Sequence, residues 1–176
     1  MLFPAAAPAA IDTTSVTLTG GTLDFSVAPT ADDFTSTALT GSTQTLTTSF
    51  NDWRVNDARG SGAGWHVAMQ ASQFSNGASL TLPAGSLTLK APTVSKVDVL
   101  NPALPPVVSA SPAPPWTLDG GSAITVVSAA TATGQGEWNF DHANLSGSKD
   151  LALTIPANAS AGTYTSTVTS TLSTGP

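Results

Sequence analysis

The sequence contains no cysteine, so neither a disulfide nor a thiolate metal site can stabilise its fold. Charge is also scarce: 9% of the 176 residues are charged, against about 25% in a typical soluble domain. The chain has 11 acidic residues and five basic ones. The basic residues are scattered along the sequence as Arg54, Arg59, Lys90, Lys96 and Lys149. Because phosphate binding needs a clustered basic patch, the composition argues against a nucleic-acid partner.

Long apolar runs and acid–base residues are missing as well. No apolar stretch approaches the roughly 18 residues of a membrane-spanning helix, so no membrane span is predicted. The only histidines are His66 and His142, and Glu137 is the only glutamate. A catalytic triad needs a histidine beside an activated serine, but no G-x-S-x-G motif is present and His66 lies on the strand face opposite Trp65. A pair of glycosidase carboxylates is possible in principle, although the chain offers one glutamate. We therefore expect no enzyme.

Hydroxyl side chains are abundant, with 21 serines and 27 threonines. They keep a chain with few charges soluble, and this composition is common in secreted proteins. The first ten residues are small, apolar and uncharged, and Ala5-Ala6-Ala7 has the spacing of a signal-peptide cleavage site. We interpret residues 1–10 as a signal-peptide remnant or a disordered tail, and we expect export to the extracellular cell surface.

Apolar residues alternate with polar ones along most of the chain, which is typical of strands that are half buried. Residues 16–27 predict a first hairpin that turns at Gly20-Gly21. The alternation changes parity between Phe50 and Trp53, which predicts a bulge at Asn51-Asp52.

Further strands are predicted at residues 65–71, at 134–140, where Trp138 and Phe140 share a face, and at 164–172. No amphipathic helix is apparent. The pattern predicts an all-β fold, a single antiparallel β-sandwich of Ig-like or jelly-roll-like type that spans residues 11–176. Because residues 101–115 contain six prolines, we expect a long Pro-rich loop within this domain.

Two groups of residues resemble one known family. Asp57-Ala58-Arg59-Gly60, then Gly64-Trp65-His66-Val67, then Phe74, are similar to the signature of WxL-type cell-surface domains of Gram-positive bacteria. Residues 151–156 and 161–165 resemble that family's closing strands, although its distal Trp-x-Leu reads Ser170-Thr171-Leu172 here. The resemblance implies a non-catalytic, exported β-domain that attaches to the cell wall or takes part in surface assembly.

Trp53, Trp65, Asp57 and Arg59 are the candidate binding residues. An exposed tryptophan stacks on a glycan ring, whereas a buried one fills a sandwich core, and the alternation of Trp65 with Val67 favours the core. Asp57 and Arg59 either contact a ligand or brace their own turn, and we favour the brace. No cofactor or metal is predicted, because oxygen ligands in turns, as in residues 51–57, are common without an ion.

Three functions remain open at this point, and the third is a phage decoration or spike module, which has the same composition. In the first, the domain contacts cell-wall glycan or peptidoglycan, or other surface proteins. In the second, copies of the chain assemble into an extracellular fibre or sheet, because a strand near residues 11–18 pairs with the open edge of a neighbour.

Overall fold

The computed structural model describes residues 12–77, 79–142 and 149–176, and the tail predicted at residues 1–10 lies outside them. No helix occurs in this part of the chain. The strands are β1 (Leu23–Val27), β2 (Gln44–Thr48), β3 (Trp53–Asp57), β4 (Trp65–Ala71), β5 (Leu87–Leu89), β6 (Thr93–Lys96), β7 (Val107–Val108), β8 (Trp116–Thr117), β9 (Ile124–Ala129), β10 (Gly136–Asp141), β11 (Leu151–Ile155) and β12 (Val168–Thr174).

These strands form three antiparallel sheets, with the orders β1-β3-β10-β6, β2-β11-β5-β8 and β12-β4-β9-β7. Three strands of the first sheet, β3-β10-β6, are consecutive in the chain with three strands of the second sheet that lie in the same order, β2-β11-β5. β2 leads into β3, β10 into β11 and β5 into β6. One hydrophobic cluster contains buried residues from all three sheets, and the predicted all-β sandwich is confirmed.

The alternation of buried and exposed residues along the strands explains which side chains form the core. In β4, Trp65, Val67 and Met69 are buried, while the residues between them are more exposed. Trp138 and Phe140 in β10 point to the same interior, as the sequence predicts. Phe140 stacks on Trp53 with ring centroids 4.0 Å apart. Burying a side chain the size of phenylalanine contributes about 1.5–3 kcal/mol, so this aromatic group is a large part of the core's stability.

The predicted first hairpin is wrong. Residues 12–22 form no strand, and β1 pairs with β3. Gly20 and Gly21 do not turn the chain back on itself but lie against Ala58 and Arg59, where the Gly21 N–H donates to the Ala58 carbonyl at 2.8 Å. A Cβ on Gly20 would lie 2.4 Å from the Arg59 carbonyl oxygen. The glycines are needed for close backbone approach and not for a turn.

The predicted bulge at Asn51-Asp52 is wrong too. β2 ends at Thr48 in the second sheet, and β3 begins at Trp53 in the first. Between them, Phe50 forms an isolated bridge with Ala31. The parity changes because the chain passes from one sheet to another.

The long Pro-rich loop at residues 101–115 is not confirmed. Val107–Val108 pairs with β9, and Leu104 forms a parallel bridge with Thr133. Proline cannot donate to a ladder, but the residues between prolines still can, and here a short edge strand uses them.

Candidate functional site

The turn after β3 is closed by an ion pair. The Arg59 Nε and second terminal nitrogen donate to the two Asp57 carboxylate oxygens at 2.8 and 2.9 Å. Arg59 also donates to the Gly64 carbonyl at 2.8 Å, at the entry to β4. The hydrogen bond to Asp57 raises the pKa of Arg59 above its usual value, although burial opposes the shift. The pair therefore joins the end of β3 to the start of β4.

A glycine completes this turn. Gly64 has φ +74°, and a Cβ on it would lie 2.5 Å from the Ala129 carbonyl oxygen in β9. Any side chain at this position would push β4 away from β9. We call the segment from Asp57 to Gly64 the corner.

Both candidate tryptophans are fully buried, at 0% exposure. The indole N–H of Trp65 donates to the Gly134 carbonyl at 3.0 Å, and that of Trp53 donates to Nε2 of His142 at 3.1 Å. Trp65 thus fills the core, as its alternation favours. Trp65 follows Gly64 directly, and Trp53 begins β3, which ends at Asp57, so the two tryptophans lie on the two strands that the corner joins.

The side chains of Asn51, Asp52 and Asp57 have partners within the protein. Asn51 donates to Asp32, Asp52 accepts the backbone N–H of His142, and Asp57 pairs with Arg59. Among the described residues, no three His, Asp or Glu side chains are grouped as metal ligands would be.

An open groove, not anticipated from the sequence, lies over the second sheet. Its cavity measures about 1080 Å³. The floor is a row of leucines in register across three strands, in which Leu153 lies beside Leu46 and Leu87. One wall is the segment 29–39, and the other is the segment 159–168. We call this cavity the groove.

Four aromatic side chains line the groove, and one of them, Phe50, is 2% exposed and belongs to the core. Phe34 and Phe74 are half buried and meet edge to face, with centroids 6.2 Å apart. Tyr164, on the opposite wall, donates its hydroxyl to the Ser160 carbonyl at 3.1 Å. The rim is rich in hydroxyls, including Thr35, Ser36, Thr37, Thr163, Thr165 and Ser166. Mostly apolar lining with a few polar groups is typical of ligand sites.

The charge of the groove is slightly negative. Asp32 and Asp33 are exposed on one wall, and no Lys or Arg is present among the described residues that line the cavity. Asp32 accepts a hydrogen bond from Asn51 at 3.1 Å. The surroundings therefore suit a neutral or amine-bearing ligand better than a phosphate.

A comparison with protein families matches residues 5–176 to the WxL domain, described as surface cell wall-binding. The chain belongs to the WxL domain family. Searches of curated proteins and of solved structures find no match. The predicted resemblance is confirmed over nearly the whole chain, and the domain is an extracellular, cell-surface domain of a wall-binding family. No helix in the described residues could cross a membrane.

The two signature segments of this WxL domain lie side by side. Trp65-His66-Val67 begins β4, and Ser170-Thr171-Leu172 lies in β12, where Leu172 pairs with Val67. No pattern in the sequence points directly to the groove. Phe34 and Tyr164 are 130 positions apart by their numbers, and only the fold brings their segments to one cavity.

Proposed function

We propose that this WxL domain attaches to the cell wall by binding peptidoglycan in the groove, without catalysis. The observation that carries this proposal is the open groove with aromatic walls and hydroxyls on its rim. Aromatic faces pack against the C–H faces of sugar rings, and hydroxyls bind the ring substituents. Phe34, Phe74 and Tyr164 are the aromatic residues that we expect to contact the glycan.

Charge favours peptidoglycan over phosphate-rich wall polymers. The chain has a formal net charge of −6, and no basic residue is present among the described groove residues. A polyanion would be repelled by Asp32 and Asp33 and would find no cation to pair with. Sugar rings and neutral amides carry no such penalty.

A binding role of Trp53, Trp65, Asp57 and Arg59 stays a prediction, and we propose that it is indirect. Trp53 and Trp65 are buried, and the corner holds β4 at the position from which β12 pairs with it. The groove wall at residues 159–168 leads directly into β12. These four residues would therefore act by positioning that wall.

The absence of catalysis is part of the proposal. His142 is buried, and Nδ1 of His66 lies 2.7 Å from the Gly175 carbonyl oxygen. Glu137 accepts a hydrogen bond from Ser26 at 2.6 Å. None of the three lines the groove. A turnover assay on wall fragments that responded to His66→Ala or Glu137→Ala would contradict this part.

Gly162→Tyr tests the groove. A Cβ at Gly162 meets nothing closer than 3.7 Å, so the substitution fits the backbone and places a ring in the cavity. We expect binding to purified peptidoglycan, measured by co-sedimentation, to weaken at least about tenfold. Ala110→Tyr, on an exposed loop away from the groove, is the matched control and should bind like the wild type. Equal binding by Gly162→Tyr would exclude the groove.

A second candidate function is assembly of copies of the chain by strand donation. The segment 12–19 supports it, because it is exposed and forms no strand. Its apolar side chains Val16 and Leu18 are 82% and 88% exposed, so they pack little against the rest of the described chain. Such a segment could add to the open edge of a neighbouring sheet. Electron microscopy of the purified protein, with and without residues 1–18, tests it. Polymers that persist after the deletion would rule out this mechanism.

A further inference from the structure

A second cavity opens beside the groove, at the ends of β4 and β12. It measures about 400 Å³ and shares Thr167 with the groove. In β12, Thr169 pairs with Gln70 of β4, so their side chains lie on the same face of the sheet. The backbone of Gly120 and Gly121 forms the other side. We call this cavity the polar cleft.

A buried carboxylate fixes the glycine side of the polar cleft. Asp119 is 2% exposed and accepts the backbone N–H groups of Gly85, Ser86 and Leu87 at 3.0–3.1 Å. The preceding residue, Leu118, accepts the N–H of Ala71 at 2.8 Å. The segment that carries Gly120 is therefore held against the end of β4 before any ligand arrives.

The polar cleft presents hydrogen-bonding groups without charge. Asp119 is its only charged residue among those described, and both carboxylate oxygens are already used. The side chains of Gln70, Thr167 and Thr169 make no hydrogen bond within the described part of the chain. Gln73 donates to the Leu82 carbonyl, which leaves its own carbonyl oxygen available. These amides and hydroxyls both donate and accept.

We propose that the polar cleft is a second subsite, which binds a neutral acetamido sugar of the glycan strand whose neighbouring unit occupies the groove. The inference rests on the proposed function, because it assigns the polymer in the groove to peptidoglycan. A sugar with hydroxyls and one amide matches the free amide and hydroxyls of the polar cleft. A phosphate or a carboxylate would find no cation there. Because both cavities are lined by Thr167, they are neighbours, and one glycan strand could occupy both.

Gly120→Tyr is the test. A Cβ at Gly120 would meet only Thr117 Cγ2, at 3.7 Å, and the residue is not in the left-handed region, so the fold should tolerate the ring. The probe is a soluble chito-oligosaccharide, a neutral chain of acetamido sugars, measured by calorimetry. We expect Gly120→Tyr to bind about tenfold more weakly than the wild type. Gln70→Ala, which removes one free amide and adds no bulk, should weaken binding in the same direction. If Gly120→Tyr lowers the melting temperature, Gln70→Ala decides the outcome.

The two proposals fail in different ways. If Gly162→Tyr weakens binding but Gly120→Tyr and Gln70→Ala bind like the wild type, the polar cleft is not a subsite and the groove stands. If the polar-cleft variants weaken binding and Gly162→Tyr does not, the groove assignment fails. Failure of the wild type to bind the chito-oligosaccharide overturns the subsite. Competition by free stem peptide, and not by the sugar chain, would show that the ligand class is wrong.

Discussion

Two buried polar side chains in this domain are held by specific partners. Asp57 is 3% exposed and binds Arg59 through both oxygens, whereas His142, 1% exposed, accepts the indole N–H of Trp53 at Nε2 and has no hydrogen-bond partner at Nδ1 among the described residues. A buried polar group without a partner costs about 1–3 kcal/mol. The stability of the domain should therefore respond strongly to removal of one member of such a pair.

Replacing Arg59 by alanine should destabilise the domain without abolishing wall binding at a temperature where it stays folded. The change leaves the buried Asp57 carboxylate with a single backbone N–H, that of residue 59, at 3.2 Å. We expect a loss of about 2–3 kcal/mol, which lowers Tm by roughly 5–10 °C. Arg59→Lys keeps the charge but not the paired geometry, so its Tm should lie between those of the wild type and Arg59→Ala. An unchanged Tm for Arg59→Ala would refute the structural role of this residue.

His142 should make stability depend on pH. Burial lowers the pKa of His142 to about 4, although the nearby Asp141 opposes the shift. The unfolded chain, with a pKa near 6.5, takes up the proton first, so stability is fully present above about pH 6.5 and is lost as the pH falls towards 4. The loss is on the order of 3 kcal/mol.

Urea unfolding at several pH values measures this effect. His142→Gln keeps a hydrogen-bonding side chain that does not titrate, and carboxylates titrate in both proteins. The variant should therefore show a flatter profile than the wild type between about pH 4 and 6.5. Parallel profiles for the two proteins would show that His142 is not the group responsible.

At the scale of elements, the short strands β5 and β8 are joined by a side chain as well as by their ladder. β5 has three residues and β8 has two, yet Asp119, two residues after β8, binds three consecutive N–H groups at the start of β5. Short strands have few ladder hydrogen bonds of their own. The carboxylate supplies an acceptor that the edge of this sheet otherwise lacks.

Removing that acceptor should loosen the sheet edge. Asp119→Ala leaves the buried N–H groups of Ser86 and Leu87 unsatisfied, together with that of Gly85. We expect a loss of at least about 3 kcal/mol by urea unfolding. Asp119→Asn keeps one carbonyl oxygen as an acceptor, so it should lose less stability than Asp119→Ala. Hydrogen exchange should locate the change at residues 85–87, and uniform exchange across the domain would contradict a local tether.

At the scale of the whole molecule, the scarcity of charge governs how the domain meets its partner. The net charge of −6 comes from 11 acidic and 5 basic residues. The groove and the polar cleft contain no Lys or Arg among the described residues that line them. Contact with the wall should therefore depend on packing and neutral hydrogen bonds and not on ion pairs.

Wall binding should consequently be nearly independent of salt. Between about 50 and 200 mM salt, a protein that neutralises many phosphates loses affinity steeply, whereas neutral contacts are little screened. We expect less than about a twofold change in co-sedimentation with peptidoglycan over that range. Peptidoglycan stripped of phosphate polymers should bind at least as well as intact wall. A steep loss with salt, or loss of binding after stripping, would contradict the proposed neutral contact.

Much of the strand content could be predicted because side-chain alternation is a local property. Trp65, Val67 and Met69 had to share a face in any strand, and the same holds for Trp138 and Phe140. The hairpin at Gly20-Gly21 failed because two glycines permit either a turn or a close backbone approach. The groove could not be predicted, because its walls come from segments far apart in the sequence. That residues 11–176 form one domain stays a prediction.

The sequence by itself determined the all-β class, the inward faces of the long strands, the family and the lack of a basic surface, since each follows from composition, spacing or a contiguous motif. Tertiary structure decided which strands pair, where β2 gives way to β3, and that Phe34, Phe74 and Tyr164 border one cavity. The physical reason is that every strand edge offers the same backbone donors and acceptors. Pairing is selected only when the whole core is packed.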